Sequence, residues 1–306
     1  MKTMMVCLVA LVLTLAASGQ AAQPATPPAG LEPGGDSGGY TVNLSRPWAR
    51  GDSYTLSLDL KLHAEGGSGK DVEFWSPKNK DQDITFLGKV RVIDANAAGE
   101  GTTLVVKVEK ASVTEKGQSR ALKVEGADLG VSFPFGQTNF VQRDGKAIPP
   151  EDLAILKQLF PPPKGVSEAD YMSPGRPVKP GDRWSMNRES LAKALAPPPA
   201  SGAAAAVEVT EGTVAFEAME SMEDVEFLHL VARWSFKTGD NDRFTGTNIT
   251  QVREDLFIPR DPASRATRRT TELTGRVNGR VRNTENQLLE VRGLTKMTRK
   301  VEIKQG

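Results

Sequence analysis

Residues 45–56 read S-R-P-W-A-R-G-D-S-Y-T-L, and residues 175–186 read G-R-P-V-K-P-G-D-R-W-S-M. Both stretches carry Arg-Pro, then Gly-Asp, then an aromatic residue, in the same register and 130 residues apart. Proline fixes its own φ and favours an extended residue before it, and Gly-Asp is typical of a tight turn. Alternating apolar residues then indicate a strand. Each stretch, called the RP–GD phrase below, predicts an extended arm, a turn and the opening of a sheet.

The two phrases favour a chain built from two related halves, since a phrase repeated at a long offset is typical of internal duplication. The alternative is that both copies are a common turn and match by chance. The predicted structural residues are Gly51, Asp52, Tyr54, Gly181, Asp182 and Trp184. The predicted domains are a signal peptide (1–21), a flexible Pro/Gly linker (22–39), a first β half (40–148), a helical and loop connector (149–204) and a second β half (205–306).

The N-terminus predicts the compartment. Lys2 precedes an apolar run over residues 4–17, and small residues follow it. The run is too short to cross a bilayer comfortably and is typical of a secretory signal peptide. The only cysteine, Cys7, lies inside the run rather than after it, so we predict a secreted or periplasmic protein that is not a lipoprotein. The mature chain then has no cysteine and no transmembrane segment.

The overall charge indicates no polyanionic partner. The formal net charge is +1, and it falls to zero once Lys2 leaves with the signal peptide. Nucleic-acid-binding proteins usually carry a clear basic excess. We therefore predict no nucleic-acid partner.

Strict alternation of apolar and polar residues predicts strands. Leu56, Leu58, Leu60 and Leu62 alternate with polar residues, as in a sheet with one face in water. Residues 225–237 are apolar on both faces, which indicates a central strand. Further strands are predicted at 71–75, 83–94, 102–113, 119–125, 129–133, 207–218, 244–257, 268–282 and 288–304. Helices are predicted at 151–160 and 188–196, and loops at 161–175 and 197–204. The predicted fold class is mainly β, with antiparallel sheets in two related halves, half-barrel or β-sandwich-like, and short helices between them.

Catalytic patterns are sparse. The two histidines, His63 and His229, fit structural or surface positions better than a catalytic pair, and the common nucleophile, metal and nucleotide motifs do not occur. Carboxylates are plentiful, which leaves a carboxylate-based hydrolase open. We assign no catalytic residue, no cofactor and no metal ligand, and we predict that the protein is not an enzyme.

Two surfaces are candidates for binding. The helix at 151–160 is apolar enough to cover the sheet, and an incomplete fit would leave a cleft for a lipid or another amphiphile, lined by Leu153, Leu156 and Phe160. A fully packed core is the alternative. The C-terminal strands carry an outward basic face that could meet an anionic envelope surface. Its residues are Arg276, Arg280, Arg282, Arg292, Lys296 and Lys300. The alternative is a solvated face attracted to the acidic stretch at 208–226.

The second phrase through Trp184, together with D-G-K-A-I-P at 144–149 before a short helix, resembles a family of uncharacterised secreted bacterial β-rich proteins. Such proteins are similar in outline to lipoprotein-carrier and mycobacterial lipid-binding half-barrels, in which an antiparallel sheet wraps a hydrophobic cavity closed by helices. The resemblance implies no assigned activity and no ligand residues. Three functions follow in order: a non-catalytic binding or carrier protein for a hydrophobic or amphiphilic ligand, an envelope interaction module that uses the basic face, and a carboxylate-based hydrolase.

Overall fold

The structure is a computed structural model that describes residues 39–67, 80–96, 99–163, 166–196, 207–238, 244–282 and 288–305. The predicted signal peptide, the linker up to residue 38, the strand at 71–75 and the loop at 197–204 lie outside these residues. Among the described residues, no helix has both the length and the apolar character needed to cross a membrane.

The described residues form twelve strands, three α-helices and a short 3-10 helix, Pro134–Gly136. The strands are β1 (Ser53–Gly67), β2 (Lys80–Ala95), β3 (Gly101–Glu115), β4 (Gln118–Ala121), β5 (Asp128–Ser132), β6 (Asn139–Gln142), β7 (Arg183–Ser185), β8 (Val207–Met222), β9 (Val225–Thr238), β10 (Phe244–Pro259), β11 (Thr267–Arg282) and β12 (Leu288–Gln305). The helices are α1 (Pro150–Leu159), α2 (Glu168–Met172) and α3 (Arg188–Leu195).

All of these strands belong to one antiparallel sheet in the order β6-β5-β3-β2-β1-β12-β11-β10-β9-β8-β7, with β4 paired to β3. The first long strand, β1, pairs with the last, β12, so the N-terminal and C-terminal meanders join in the middle of the sheet. Strands β6 and β7 end the order, and the sheet formed by the described residues is open rather than closed into a barrel. The predicted mainly β, antiparallel class is confirmed. The predicted domain boundaries stay a prediction.

The alternating leucines of β1 define the buried face of the sheet. Leu58 and Leu60 are each 1% exposed, whereas Asp59 and Lys61 between them are exposed. We call the face that carries these leucines the inner face and the opposite one the outer face. The three helices pack on the inner face, and their apolar side chains join one continuous core with those of the strands.

Strand β9 lies between β8 and β10. One of its faces is buried from Leu228 to Phe236, and the other is buried at Phe227 and Val231 but exposed at Arg233, so the predicted burial on both faces is met only in part.

Helix α1 is fixed to the sheet at its first turn. Pro149 and Pro150 start the helix, and Asp152, which is fully buried, follows at once. The Asp152 carboxylate accepts hydrogen bonds from the Arg120 guanidinium (2.6 Å) and the Lys123 backbone N–H (2.7 Å). A buried carboxylate needs such partners, because it has lost its contacts with water. The first turn of α1 is therefore anchored next to β4.

The predicted loop at 161–175 is wrong in its centre, where α2 forms. Ser167 and Asp170 make a capping box: the Ser167 hydroxyl accepts from the Ala169 backbone, and Asp170 accepts from the Ser167 backbone. This reciprocal cap satisfies backbone donors that a helix start otherwise leaves without partners. The helix has only five residues, too few for an apolar period to reveal it in the sequence.

The predicted strand at 119–125 is wrong in its second half. Strand β4 ends at Ala121, and a turn follows over residues 123–126. Leu122 and Val124 are both buried although neither lies in a strand, which explains the misleading alternation. Glu125 accepts a hydrogen bond from the Ala111 backbone (3.0 Å), and Gly126 takes a positive φ of 81° that suits glycine.

The two RP–GD phrases form the same turn. Gly51 and Gly181 have φ values of 93° and 92°, a region that favours glycine. The Gly51 N–H donates to the Val92 carbonyl (2.9 Å), and the Gly181 N–H donates to the Phe216 carbonyl (2.7 Å). The carbonyl of the following aspartate accepts a bond back from the same partner residue, at 2.8 Å in the first phrase and 2.9 Å in the second. Each phrase therefore binds the strand that pairs with the strand following it, β2 in the first phrase and β8 in the second.

The side chains of the two aspartates also make the same hydrogen bond in both phrases. Asp52 accepts from the Ala49 backbone (2.7 Å), and Asp182 accepts from the Lys179 backbone (3.1 Å), three residues earlier in each case. The aromatic residues that follow differ in their partners. Tyr54 stacks on Trp48 with ring centroids 4.4 Å apart. The Trp184 indole donates to the Met172 carbonyl (2.7 Å), which ties the second phrase to α2.

Candidate functional site: the central cavity

A cavity of about 160 Å³ lies on the inner face where β1, β12 and β11 meet the C-terminal end of α1. Its apolar wall comes from several elements: Leu56, Leu104, Phe133, Leu159, Phe160, Val301 and Ile303. An engineered apolar cavity of about 150 Å³ binds benzene, and water occupies about 30 Å³ per molecule in the liquid. The central cavity therefore has room for one ring or a short alkyl segment, or for a few water molecules.

Charged side chains complete the wall: Arg46, Glu100, Glu168, Arg265, Arg269 and Arg299. Arg265 forms an ion pair with Asp52 (2.9 Å), and its guanidinium lies over the Trp48 ring. This contact connects the first RP–GD turn to the cavity. A wall that mixes apolar groups with a few charged ones is typical of sites that bind small molecules in a fixed orientation.

Arg46, from the first RP–GD phrase, reaches the rim of the cavity and is 9% exposed. Its guanidinium donates to four backbone carbonyls between β10 and β11, namely those of Pro259 (2.7 Å), Asp261 (3.1 Å), Pro262 (3.3 Å) and Ser264. Its Nε is buried and has no hydrogen-bond partner among the described residues. Burial lowers the pKa of Arg46 to about 10, although Asp261 opposes the shift. Arg46 thus remains charged near neutral pH.

Glu100 lies on the same wall and is 7% exposed. One carboxylate oxygen, Oε2, accepts from the Asn96 side chain (2.6 Å). The other, Oε1, is buried and accepts no hydrogen bond from the described residues. A buried polar atom without a partner costs about 1–3 kcal/mol. Glu100 and Arg46 thus place one acid and one base among the residues of the cavity wall.

Beneath the cavity lies a buried arginine–glutamate cluster formed by Glu168, Glu254, Arg269 and Arg299. Arg269 donates two hydrogen bonds of 2.6 Å to the two oxygens of Glu168, in the bidentate geometry that favours arginine. Its Nε lies 3.4 Å from Glu254, which also accepts from the Thr271 hydroxyl (2.9 Å). The cluster thereby joins α2 to β10, β11 and β12.

Burial dominates the electrostatics of this cluster. It raises the pKa of Glu254 to about 7, and the charge of Arg269 only partly offsets that shift. It also lowers the pKa of Arg299 to about 10, with Arg269 adding to the shift. Burial alone would lower the pKa of Arg269 too, but Glu168 and Glu254 outweigh it, and the net shift is upward. Arg269 is therefore the permanent cation of the cluster, and Glu254 is its titrating member.

The raised pKa of Glu254 predicts an unusual dependence of stability on pH. The folded state holds this proton more tightly than the unfolded state, so ionisation of Glu254 costs stability. We expect its contribution to the free energy of unfolding to fall by up to about 3 kcal/mol as the pH rises from 4.5 through about 7. Glu254→Gln removes the titration. Urea unfolding, measured at several pH values across this range, should show a smaller fall in the free energy of unfolding with rising pH for the variant than for the wild type.

The control for this measurement is Glu272→Gln, on the exposed outer face of β11. It should leave the pH profile of the wild type nearly unchanged. A Glu254→Gln profile that runs parallel to the wild-type profile would show that Glu254 is ionised throughout the range.

The same cluster bears on the hydrolase interpretation. Glu168 and Glu254 both contact Arg269, so two carboxyl groups do lie close together. Of these two acids, only Glu168 lines the cavity, and both of its oxygens bind Arg269. A catalytic acid or base must come within hydrogen-bond reach of the substrate. Glu254 is 2% exposed and lies behind the wall, so this arrangement does not present an acid pair to a ligand.

The structure separates the three residues of the predicted cleft. Leu156 is fully buried in the core, whereas Leu153, one turn earlier on α1, is half-buried. Phe160 lines the cavity and packs edge-on against Phe86 and Phe140, with ring centroids 5.4 Å and 6.0 Å away. The predicted basic residues share the outer face of β11 and β12, and those whose exposure the structure describes are exposed: Arg276, Arg280, Arg292, Lys296 and Lys300. Arg282 pairs with Leu288 in the strand register.

Sequence reasoning missed the charged residues of the inner face, although a signal was present. Arg269 lies two and four residues from Thr271 and Leu273, on the face opposite to Arg276. Arg299 likewise lies between Met297 and Val301 in the buried alternation of β12. A charged residue at an apolar position of a strand indicates a buried, paired charge. In the described residues, no group of three His, Cys, Asp or Glu side chains is placed to hold a metal ion.

No protein-family model matches the chain, and no curated protein matches it significantly. A structure described as "Lipid-protein interactions in lipovitellin" is 7% identical with a TM-score of 0.33, over 84% of this chain and 25% of that chain. The structure of P47 from Clostridium botulinum A2 is 8% identical with a TM-score of 0.18, over 79% of this chain and 80% of that one. One described as "Asymmetric conductivity of engineered proteins" is 8% identical with a TM-score of 0.18, over 82% and 100%.

The chain thus spans a quarter of the lipovitellin chain that it matches. These similarities are weak in both identity and TM-score. The resemblance to lipoprotein-carrier and lipid-binding half-barrels stays a prediction, while the β-rich, antiparallel outline that it implied is present.

Proposed function

We propose that the protein is a secreted or periplasmic binding protein that holds a small amphiphile in the central cavity and catalyses no reaction. The observation that supports this most directly is the composition of the cavity wall. Leu56, Phe160 and Val301 line the cavity with apolar groups, and Arg46 and Glu100 add charged ones. A ligand with an apolar body and a polar head would satisfy both kinds of surface.

The size of the cavity limits the ligand. A space of about 160 Å³ accepts a ring or a short alkyl segment. A long acyl chain would need the end of α1 and the following prolines to move, because Leu159, Phe160, Pro161 and Pro163 form that side of the wall. The ligand class that fits the closed form is therefore a small amphiphile.

The charges of the wall favour a ligand with a polar head. The Arg46 and Arg265 side chains are hydrogen-bond donors, and the Glu100 carboxylate is an acceptor. A carboxylic acid, an amide or an alcohol could meet one or both kinds of group. A purely hydrocarbon ligand would make no hydrogen bond to the charged part of the wall.

The test begins with the protein purified from cells that make it naturally. Native mass spectrometry followed by organic extraction should reveal a co-purifying amphiphile. Calorimetric titration with octanoate then measures binding directly. We expect Val301→Phe, which fills the cavity from β12, to weaken octanoate binding by at least about tenfold, or about 1.4 kcal/mol.

Met297→Phe is the matched control, because Met297 lies on the same face of β12 but outside the cavity. It should bind octanoate as the wild type does. If Val301→Phe fails to fold, Leu104→Phe fills the cavity from the facing strand β3. A clean apo mass together with no octanoate binding by the folded wild type would overturn the proposal and leave a hydrated cavity as the explanation.

A further inference from the structure

The outer face of the sheet carries a cluster of cations at one end of β11 and β12. We call Arg276, Arg280, Arg292 and Lys296 the distal basic patch. The strand register places Leu294 opposite Arg276 and Asn278 opposite Arg292. Arg276 is therefore a diagonal neighbour of both Arg292 and Lys296, within reach of long side chains. All four side chains are exposed.

Unlike Arg268 and Lys304 on the same face, these four cations have no carboxylate partner among the described residues. At the opposite end of the strands, Arg268 and Lys304 form ion pairs with Glu223 and Glu302. None of the four patch residues forms an ion pair with any described carboxylate. Two carboxylates lie nearby: Glu290, opposite Arg280 in the register, and Glu65, which contacts His63. The patch therefore keeps a local excess of positive charge.

Exposed apolar side chains accompany the patch. Ile249 on β10 lies opposite Arg276 and is 37% exposed, and Leu288 at the start of β12 is 54% exposed. By alternation along β12, Leu288 is on the same face as Arg292. Ile249 therefore adds an apolar side chain beside Arg276, and Leu288 adds one diagonal to Arg280.

A shallow depression in the surface at the same end of the sheet is lined by residues of β1, β11 and β12, among them Arg276 and Arg292. The guanidinium group of arginine binds phosphate oxygens well.

We propose that the distal basic patch docks the protein on an anionic lipid surface. Unpaired guanidiniums meet the phosphates of the headgroups, and Ile249 and Leu288 enter the boundary between headgroups and acyl chains. The flat face of a sheet suits an extended surface, and the patch has no aromatic side chain of the kind on which nucleic-acid bases stack. The net charge of the chain is only +1, so binding depends on the patch and is sensitive to salt.

The experiment is sedimentation of the mature chain with phosphatidylcholine vesicles that contain or lack phosphatidylglycerol. We expect binding to the anionic vesicles alone, and release by high salt. Arg276→Gln combined with Arg292→Gln should weaken binding by about 30-fold, since each basic residue near an anionic surface contributes about fivefold. Ile249→Ser combined with Leu288→Ser should weaken it further at every salt concentration.

The matched control removes two cations elsewhere on the outer face, by Lys61→Gln with Arg91→Gln. Both residues are exposed, on β1 and β2, and lie outside the patch. This control should change vesicle binding by less than about threefold. An equal loss in both double variants, equal binding to neutral vesicles, or no binding by the wild type would overturn the proposal. So would tighter binding to soluble polyphosphate than to the vesicles. Octanoate titration of the same variants tests the central cavity separately.

Discussion

Replacing Arg269 by methionine is expected to lower the free energy of unfolding by about 3–5 kcal/mol, the usual cost of removing one partner from a buried ion pair. Arg269 binds both oxygens of Glu168 and lies next to Glu254, and both acids are almost inaccessible to water. Without the guanidinium, two buried carboxyl groups lose their shared cation. Urea unfolding at constant pH, followed by circular dichroism, measures the loss.

The cost should depend on pH in a defined direction. At low pH Glu254 is protonated, so the variant buries one negative charge fewer, and the loss of stability should be smaller than at pH 8. The control is Arg253→Met, which removes an exposed arginine from its pair with Asp255 on the outer face (3.1 Å). Exposed pairs of this kind contribute about 0.2–1 kcal/mol. An Arg269→Met cost as small as that of Arg253→Met would show that water reaches the cluster.

The β-rich outline of the molecule was accessible from the sequence because each long strand buries one face. The alternation around Leu58 and around Met297 predicts strands β1 and β12, and it does so without reference to the strands that pair with them. Helix α1 was equally accessible, from Pro150 at its start and its apolar face. These signals are local in the sequence, and each predicts its strand or helix correctly.

The pairing of β1 with β12 had no such signal. Leu58 and Val301 are paired in the sheet although they lie near opposite ends of the sequence. Alternation predicts which face of a strand is buried, but it does not predict which strand is its partner. The central cavity depends on that pairing, so it could not be located from the sequence. Of the predicted cleft residues, Phe160 reaches the cavity and Leu153 and Leu156 do not, because a broad apolar face on α1 does not show which part packs in the core and which part borders a space.

The arginine–glutamate cluster has a sequence signal in Arg269, which lies at an inner-face position. Its partner Glu168 has none, because Glu168 belongs to α2, a helix within the predicted loop at 161–175.

Leu156→Ala is expected to lower the free energy of unfolding by about 2–5 kcal/mol, since truncation of a buried leucine loses its transfer free energy and leaves a cavity. Leu156 is fully buried on α1, between the sheet and the rest of the core. The change adds no polar group, so the loss measures packing alone. Urea or thermal unfolding gives the value, and the slope of the urea transition checks that the unfolded state is unchanged.

Leu153→Ala is the matched control, with the same chemistry on the same helix and the side chain half-buried. It should cost less than about 1 kcal/mol, because less apolar surface returns to water. The difference between the two leucines tests how α1 is seated on the sheet. If both cost equally little, α1 is loosely held, and the helix could then move aside to admit a ligand longer than the closed cavity accepts. If the large difference is found, α1 is a fixed part of the core. Ligand entry must then involve the residues after α1, where Pro161 and Pro163 already form the wall of the cavity.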